Sequence, residues 1–244
     1  MCFVTSLLVG YRYFFSLPTL NNSIKDYQER ELTSLEISLA REFLFLKTIN
    51  YDYAVWDDTY DYMTSLDEEY LDSNYVDDTF VSLKIDGVII YDMNYKQVYE
   101  HTYDFIEGTT FDLPSFDLLA KPTNRSIHPY FKAQENTLSR FGFLRSKHGP
   151  IMFASHAIKH TDKTGEPIGA IVFIKKVRPS QISSMAEIAQ IQLSYSVISN
   201  ESVPTQIARL EGGLQDEPIA TQRQRVLLDI NGNPLLLFTI KHHH

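Results

Sequence analysis

A stripe of apolar residues at helical spacing dominates the N-terminal part of the chain. Its members lie three or four residues apart, close to the period of a coiled-coil seam: Leu32, Leu35, Leu39, Phe43, Leu46, Ile49, Tyr53, Trp56, Tyr60 and Met63. Pro18 fits a first helical turn, and residues 19–86 contain neither proline nor glycine. The pattern predicts one unbroken helix from about residue 20 to residue 65.

Such a helix is long for a globular domain. At 1.5 Å per residue it extends roughly 65 Å, far more than an ordinary globular helix. A domain of this size cannot cover it, so we expect part of it to project as a stalk or to pair with a second copy. The predicted protein partner is a second copy, in a homodimer through the long helix.

The residues before this helix are mostly apolar. Residues 2–20 are rich in leucine, phenylalanine and tyrosine, with Arg12 among them. A membrane-spanning helix needs about 20 apolar residues and few charges, so the segment is marginal. It fits the end of a membrane helix, a core helix or the remnant of a signal peptide. We assign residues 1–20 as a membrane-proximal remnant and expect the full-length protein to be anchored in a membrane.

After the helix the hydrophobic period changes to two, which is typical of β-strands. A hairpin is predicted from Gly87–Tyr91 and Gln97–Tyr103, and a short helix opens at Asp112 and ends before Pro122. Three further strands follow: Phe141–Arg145, Pro150–Lys159 and Ile168–Lys176. Their connections are too short for crossover helices, so the pattern predicts a five-stranded antiparallel sheet.

The C-terminal part combines a helix with more strands. A helix is predicted from Pro179 to about Ile191, then a strand, a polar loop from Ser199 to Gln222, and a closing hairpin around Asn231-Gly232. The fold class is α+β. The organisation is a membrane-proximal remnant, a long helix, a sheet domain, a membrane-proximal helix with strands, and a purification tag: 1–20, 21–66, 67–178, 179–241 and 242–244.

Composition and charge narrow the function. A chain of 244 residues that is 43% hydrophobic can bury a core. Residues 1–122 carry 8 basic and 22 acidic side chains, and residues 123–244 carry 14 and 9. No strongly basic surface can extend across the acidic half, so nucleic acid is excluded as a partner.

The end of the apolar stripe carries candidate chemistry. On one helix Tyr53, Trp56, Asp57 and Tyr60 would share a face, with three rings around one carboxylate. A carboxylate beneath rings needs a hydrogen-bonding partner. Two interpretations stay open: a core with Asp57 bonded to backbone or arginine, and a switch or ligand contact at the seam between helix and sheet.

This segment resembles a known family. The run Asp52-Tyr-Ala-Val-Trp-Asp-Asp-Thr-Tyr60 at the end of a long helix is similar to the signature of the fourth type of CHASE domain. These domains are extracellular sensors of bacterial diguanylate cyclases, phosphodiesterases and histidine kinases. Further similar segments follow in order, and the resemblance covers about residues 25–241: 85–92, 151–158, 165–175 and 228–236.

The resemblance implies a fold and a role. The fold would be Cache/PAS-like, with the long helix packed beside an antiparallel sheet. The chain would sense a small molecule outside the cytoplasm and relay a signal through membrane helices. Since the chain contains no cyclase, phosphodiesterase or kinase signature, the sequence does not identify the output domain.

The resemblance also implies a ligand site on the concave face of the sheet. Candidates on the strands are Tyr91, Phe153 and either Ser155 or His156, depending on the strand register. Tyr53, Trp56 and Tyr60 would close one side, with Asp57 beside them. The ligand itself is not readable from the sequence, and the alternative is a structural or dimerisation module without a ligand.

Catalysis and metal binding have little support. The sequence contains no Gly-x-Ser-x-Gly, phosphate-loop or His-Glu-x-x-His motif. Residues 51–78 hold ten acidic and no basic side chains, but they lack the spacing and central glycine of a calcium loop. On a strand, His156 and His160 would lie about 13 Å apart. No catalytic residue, metal or cofactor is expected.

Overall fold

The computed structural model describes residues 11–113, 138–198 and 221–242. The chain forms two compact units, a terminal unit of residues 1–39, 179–227 and 236–244 and a sheet unit of residues 40–178 and 228–235. The helix predicted to end before Pro122 lies outside the described residues. So does the loop predicted from Ser199, as far as residue 220.

The long helix predicted from the apolar stripe is present. It is α1, Leu17–Ala54, and it follows a π-helical turn at Arg12–Ser16. Half of the stripe is buried along it: Leu32, Leu35, Leu39, Phe43 and Leu46. The prediction that the helix continues to residue 65 is wrong, because α1 ends at Ala54 and a separate helix, α2, covers Asp57–Ser65.

The break between α1 and α2 is produced by pairing with a distant segment. Val55 forms an isolated parallel bridge with Lys159. The Lys159 amide donates to the Ala54 carbonyl over 3.1 Å, and Trp56 is extended, with φ −142° and ψ 133°. Because these hydrogen bonds satisfy backbone groups that helical bonds would otherwise use, the chain leaves the helix although the apolar period continues.

Two short helices follow α2 and were not predicted. They are α3, Glu68–Asn74, and α4, Asp77–Leu83. Each of the three helices α2 to α4 has two acidic residues in its first turn. Carboxylates are favourable there because they face the positive end of the helix dipole. Six of the acidic residues between positions 51 and 78 therefore stabilise the N-terminal ends of helices.

Among the described residues, the sheet unit contains one antiparallel sheet in the order β3-β2-β1-β6-β5-β4. Its strands are β1 Gly87–Asp92, β2 Gln97–Asp104, β3 Thr109–Thr110, β4 Ser139–Ser146, β5 Gly149–Ala157 and β6 Gly169–Lys176. The predicted hairpin is β1 and β2, and the predicted meander is β4 to β6. The sheet has six strands rather than five because the two-residue β3 adds an edge.

One face of this sheet, the helix face, packs against the last turns of α1. The ring of Phe43 lies 4.9 Å from that of Phe143 in β4. The ring of Tyr53 lies 5.3 Å from that of Phe173 in β6. Phe173 is fully buried, so the central strand and the end of α1 share one apolar interface.

The opposite face, the far face, has its own core. Its buried members are apolar residues and one tyrosine: Ile89, Tyr91, Leu113, Leu144, Ile151, Phe153, Val172 and Ile174. Register fixes the assignment, since Phe173 pairs with Ala154 and Phe153 pairs with Ile174. Neighbouring residues of a strand point to opposite faces, so Phe153 and Phe173 lie on different sides of the sheet.

An ionic network, made of Asp86, Asp104, Lys176 and Arg178, joins the ends of several strands. Arg178 donates to Asp86 through both terminal nitrogens and to Asp104 Oδ1 over 2.7 Å. Lys176 Nζ donates to Asp104 Oδ2 over 2.8 Å. The Asp86 side chain is fully buried. Burial alone would raise the pKa of Asp104, but the hydrogen bonds from Lys176, the Glu107 amide and Arg178 hold it well below its usual range.

The helix and closing strands predicted for the C-terminal part are present, and all but the residues at the turn of the closing hairpin belong to the terminal unit. These are α5 Pro179–Ala189, β7 Gln192–Val197, β8 Gln222–Leu228 and β9 Pro234–Lys241, and the sheet order is β7-β9-β8. The predicted hairpin corresponds to β8 and β9. In the described part of the chain, no helix is both long enough and apolar enough to span a membrane.

Candidate functional site

The helix break is fastened by a clamp made of Asp57, Tyr60, His160 and Thr161. Asp57 Oδ1 accepts hydrogen bonds from His160 Nδ1 at 2.9 Å and from the Thr161 amide at 3.1 Å. The Asp57 amide in turn donates to Thr161 Oγ1 at 3.2 Å. The ring of Tyr60 stacks on His160, with 3.6 Å between centroids. Asp57 therefore has the partner that the sequence required, although its side chain is 56% exposed.

The clamp borders an open acidic depression. Asp57, Asp61, His160, Thr161 and Asp162 line it. Within the residues that the structure describes, no group of three histidine, cysteine or acidic side chains is placed to hold a metal ion. Hydrogen bonds from the Thr161 amide and from His160 lower the pKa of Asp57, so the carboxylate stays charged. These hydrogen bonds hold the start of α2 against the loop that follows β5.

Replacing Asp57 with asparagine is expected to lower the melting temperature at neutral pH, because the charged acceptor of the clamp is lost. The pKa of Asp57 is lowered in the fold, so this stabilisation is present above the ordinary carboxyl pKa of about 4 and disappears as pH falls through the lower folded value. The melting temperatures of the wild-type protein and of Asp57→Asn should therefore converge as the pH is lowered from neutral to acidic. Asp58→Asn, an exposed neighbour on the same turn, is the control, and an equal shift in both variants would contradict the clamp.

Beside the clamp, aromatic rings from five elements and two turns form an aromatic cluster on the helix face. Its members are Tyr53, Trp56, Tyr62, Tyr70, Tyr75, Tyr99 and Phe173. Tyr75 lies at its centre, with the rings of Tyr53, Tyr70 and Tyr99 at 5.9, 5.8 and 5.6 Å. Aromatic pairs at these distances attract one another beyond their apolar burial. The cluster joins α1, the short helices and the sheet.

Three tyrosine hydroxyls of the cluster, those of Tyr70, Tyr75 and Tyr99, take part in hydrogen bonds. The hydroxyl of Tyr70 lies 2.6 Å from Thr59 Oγ1 and 2.9 Å from the hydroxyl of Tyr75. The hydroxyl of Tyr99 lies 3.3 Å from His101 Nδ1. Burial raises the pKa of Tyr75 well above its usual value and that of Tyr99 to about 12. These phenols therefore stay neutral and keep both donor and acceptor capacity at physiological pH.

The cluster opens to solvent through a cleft, here named the tyrosine cleft. It is lined by tyrosines, a histidine, three aspartates and two apolar residues: Leu71, Asp72, Tyr75, Val76, Asp77, Asp78, Tyr99 and His101. The residues come from α3, the turn after it, α4 and strand β2. Concave sites that combine aromatic walls with a few polar groups are the usual form of a small-molecule site. The aromatic and polar lining makes the cleft a candidate small-molecule site.

The predicted pocket residues that come from the helices are divided between the aromatic cluster and the clamp. Tyr53 and Trp56 belong to the aromatic cluster, whereas Asp57 and Tyr60 belong to the clamp, because the break at residues 55–56 separates them. His156 is buried on the helix face, with its ring 5.1 Å from that of Tyr51, and burial lowers its pKa. The four residues predicted to share one helix face thus lie in two places.

The other strand residues lie away from the tyrosine cleft. Tyr91, Phe153 and Ser155 are buried on the far face, and Tyr91 and Phe153 belong to its core. They cannot meet Tyr53 and Trp56 because the sheet lies between them. Register places Ser155 and His156 on opposite faces, His156 on the helix face and Ser155 on the far face.

Sequence reasoning named none of the residues that line the cleft. Tyr75, Tyr99 and His101 come from segments that were unpredicted or were assigned only as strand. One signal was present: Tyr99 and His101 are two residues apart in a predicted strand, so they had to share a face. Which face they share depends on packing, which the local sequence does not contain.

The comparisons with known proteins agree with this fold. The model of the CHASE4 domain family matches residues 38–196. The extracellular domain of histidine kinase vpHK1S-Z8 is 12% identical over 91% of this chain and 95% of that one, with a TM-score of 0.51. The sensor domain of the Vibrio cholerae histidine kinase DctB is 11% identical over 92% and 99%, with a TM-score of 0.50. No curated protein sequence matches at a significant level.

Proposed function

The chain belongs to the CHASE4 domain family, and from this membership we propose that it is the ligand-sensing domain of a membrane-bound bacterial receptor, placed outside the cytoplasm. Support comes from the fold, which is similar to an extracellular domain and a sensor domain of histidine kinases. The output would be a diguanylate cyclase, which makes cyclic di-GMP, a phosphodiesterase, which degrades it, or a histidine kinase. The sensor domain itself has no catalytic role in this proposal.

The observation that carries the ligand-sensing role is the tyrosine cleft. A small molecule would bind there, against Tyr75 and Tyr99, rather than on the far face. Tyr53 and Trp56 would support the floor of the site through the rings that they contact. None of the residues predicted from the sequence lines this cleft, and Tyr53 and Trp56 lie behind it in the aromatic cluster.

A route from this cleft to the long helix is visible in ring contacts. Tyr75 lines the cleft and packs on Tyr53 in the last turn of α1, with 5.9 Å between centroids. A ligand that binds more tightly to one position of the Tyr75 ring than to another would stabilise that position. Because Tyr75 packs on Tyr53, the same ligand would favour one position of α1. Small shifts of a packed helix are a common form of switching. We expect the helix to pass that preference toward the membrane.

A ligand screen with two readouts tests the sensing role. Trp56 is the only tryptophan in the chain and its ring lies 6.2 Å from that of Tyr70, so its emission reports on the aromatic cluster. Amino acids, carboxylates, sugars and polyamines would be screened by thermal shift, since a ligand at 100 times its Kd adds about 2.7 kcal/mol to the free energy of unfolding. A true ligand should also change Trp56 emission, and Tyr99→Ala should abolish both responses. A complete screen without any shift would favour a structural module.

Pairing of two copies through α1 is the second proposal. Ile37 and Leu44 lie seven residues apart on α1 and are 55% and 63% exposed. Apolar residues one heptad apart lie on the same side of a helix, where a second helix can pack against them. A second copy would cover them.

Leu44→Glu is expected to shift the protein from dimer to monomer, because a carboxylate at the seam would be desolvated without a partner. Sedimentation velocity at micromolar concentration measures the change. Val81→Glu, a similar change at a residue 48% exposed on α4, should leave the distribution unaltered. A monomeric wild-type protein across the concentration range would contradict the dimer.

A further inference from the structure

The terminal unit contains buried polar side chains where α1 meets strand β8. They are Gln28 and Glu31 on α1 and Arg223 and Arg225 on β8, and none of them is more than 5% exposed. Arginine is almost never buried to this extent unless it is paired. We propose that these residues form a register lock, in which the hydrogen bond between Arg223 and Gln28 holds α1 at one position along β8.

One hydrogen bond joins the strand directly to the helix. Arg223 Nη2 donates to Gln28 Oε1 over 2.9 Å, and both side chains are buried. Arg225 lies two residues further along β8 and therefore points to the same side of the strand as Arg223. On α1, Glu31 contacts His242, the residue that follows β9 by one position. Polar side chains thus tie α1 to β8 and to the end of β9.

Stability alone does not explain a buried polar bond at this position. The guanidinium and the amide lose their contacts with water on folding, and the bond between them serves mainly to offset that cost. Apolar side chains of similar volume are often equally stable at such sites, or more stable. An apolar pair does not require one particular partner, however, whereas a buried polar residue can specify the register of a packed helix.

The apolar residues of α1 in the terminal unit determine its register only weakly. Leu32, Leu35 and Leu39 are buried and lie three or four residues apart. A shift of α1 by one turn, about 5.4 Å, would bring one leucine close to the place of the next. Apolar packing alone therefore distinguishes poorly between positions that differ by one turn.

The polar bond does distinguish between these positions. Four residues before and after Gln28 the sequence has Ile24 and Leu32, and neither side chain can accept a hydrogen bond. Three residues before it the sequence has Lys25, whose charge would repel Arg223. Each of these shifts would leave a buried guanidinium facing a side chain that does not accept its proton, which is costly.

The remaining one-turn shift is opposed by the apolar residues. It would bring Glu31, three residues after Gln28, next to Arg223, and a carboxylate can accept the bond. The same shift would put Ser38 in the place of Leu35, which is fully buried. The bond and the leucines together therefore favour the observed register over every neighbouring one.

The lock also bears on how the proposed receptor would move, and this consequence rests on the proposed sensing role. Because α1 is held against β8, it would not slide along that strand. The first half of α1 and the closing strands would instead move together. A displacement of α1 would therefore be passed to β8 through Arg223, and to β9 through the hairpin.

Distances between spin labels measure the register. Pulsed electron–electron double resonance would use one label at Glu29 on α1 and one at Gln224 on β8, both exposed positions, in a chain that carries Cys2→Ser. With the lock intact, the distance distribution should be single and narrow. Gln28→Leu with Arg223→Leu should add a second distance, changed by up to about 5 Å, while the urea midpoint stays equal or rises.

Control variants and a second label pair assign the change to the lock. Ser38→Ala removes another buried polar side chain of α1 and should keep a single distance. Gln28→Glu still accepts from Arg223 and should keep it as well. Gln28→Leu alone should lower the urea midpoint, because a buried guanidinium loses an acceptor. Labels at Ser196 and Gln224, both on the three-stranded sheet, should give one distance in every variant.

The outcomes decide between a lock and an ordinary contact. A second distance in a double variant that unfolds cooperatively supports the lock. A single distance would overturn it, because apolar packing would then be enough to set the register. Loss of cooperative unfolding would also overturn it, since the bond would be needed for folding itself. A second distance between Ser196 and Gln224 as well would place the change within the sheet and count against the lock.

This test is independent of the sensing role. Every measurement is made without a ligand, so a failed lock leaves the proposed sensing role standing. A ligand screen without any response would contradict sensing and would leave the distances unchanged.

Discussion

Replacing Arg178 with methionine is expected to lower the free energy of unfolding by about 3–5 kcal/mol, because breaking a buried ion pair leaves an uncompensated buried charge. Arg178 donates to Asp86, whose side chain has no solvent exposure, and to Asp104, which is 5% exposed. Lys176 would compensate Asp104 only. Urea unfolding followed by circular dichroism measures the loss.

The control for this prediction is an exposed ion pair in the same unit. Lys147 lies 3.8 Å from Asp112, and their side chains are 47% and 79% exposed. Exposed pairs contribute at most about 1 kcal/mol, so Lys147→Met should change stability little. A loss for Arg178→Met that is no larger than this control would show that the network does not hold the sheet ends together.

The same network sets the response of the protein to acid. The pKa of Asp104 is held well below its usual range, so its stabilising contribution is complete above the ordinary carboxyl pKa of about 4 and is lost as pH falls through the folded value. The urea midpoint should therefore fall as the pH is lowered below about 4. In Asp104→Asn the midpoint is lower at neutral pH and its decline in acid is shallower.

The fold was largely predictable because its strands have local signatures. Gly87–Tyr91, Gln97–Tyr103 and the three strands of the meander were predicted within two residues of their observed ends, since period-two patterns and turn residues are encoded where the strands are. The end of α1 was not predictable in this way. The apolar period continues to Met63, and the backbone leaves the helix only because Ala54 and Val55 bond with Lys159, more than 100 positions away.

The residues that line the tyrosine cleft were not predicted from the sequence. The predicted residues that lie nearest to them are Tyr53 and Trp56, which were chosen because they end a long periodic stripe. Tyr91 and Phe153 were assigned to the same pocket because a strand pattern gives alternation but not which set faces the helix. The observed strand pairing places both residues on the far face.

The two faces of the sheet allow a paired test of which one supports the site. Phe153 and Phe173 are both fully buried phenylalanines of neighbouring strands, but Phe173 packs 5.3 Å from Tyr53 and Phe153 lies in the far-face core. Changing either to alanine should cost about 3–5 kcal/mol of unfolding free energy, from lost apolar transfer and the cavity left behind.

Only one of the two substitutions, Phe173→Ala, should alter the tyrosine cleft. Phe173→Ala removes the support of Tyr53, whose ring contacts both Trp56 and Tyr75, so it should change Trp56 emission and weaken any ligand of the cleft. Phe153→Ala should leave both unaltered below its melting temperature, despite its similar cost in stability. Emission spectra and ligand titrations of the two folded variants decide the matter. Equal changes in both variants would mean that a substitution on either face of the sheet alters the cleft. That result would contradict the assignment of the site to the helix face.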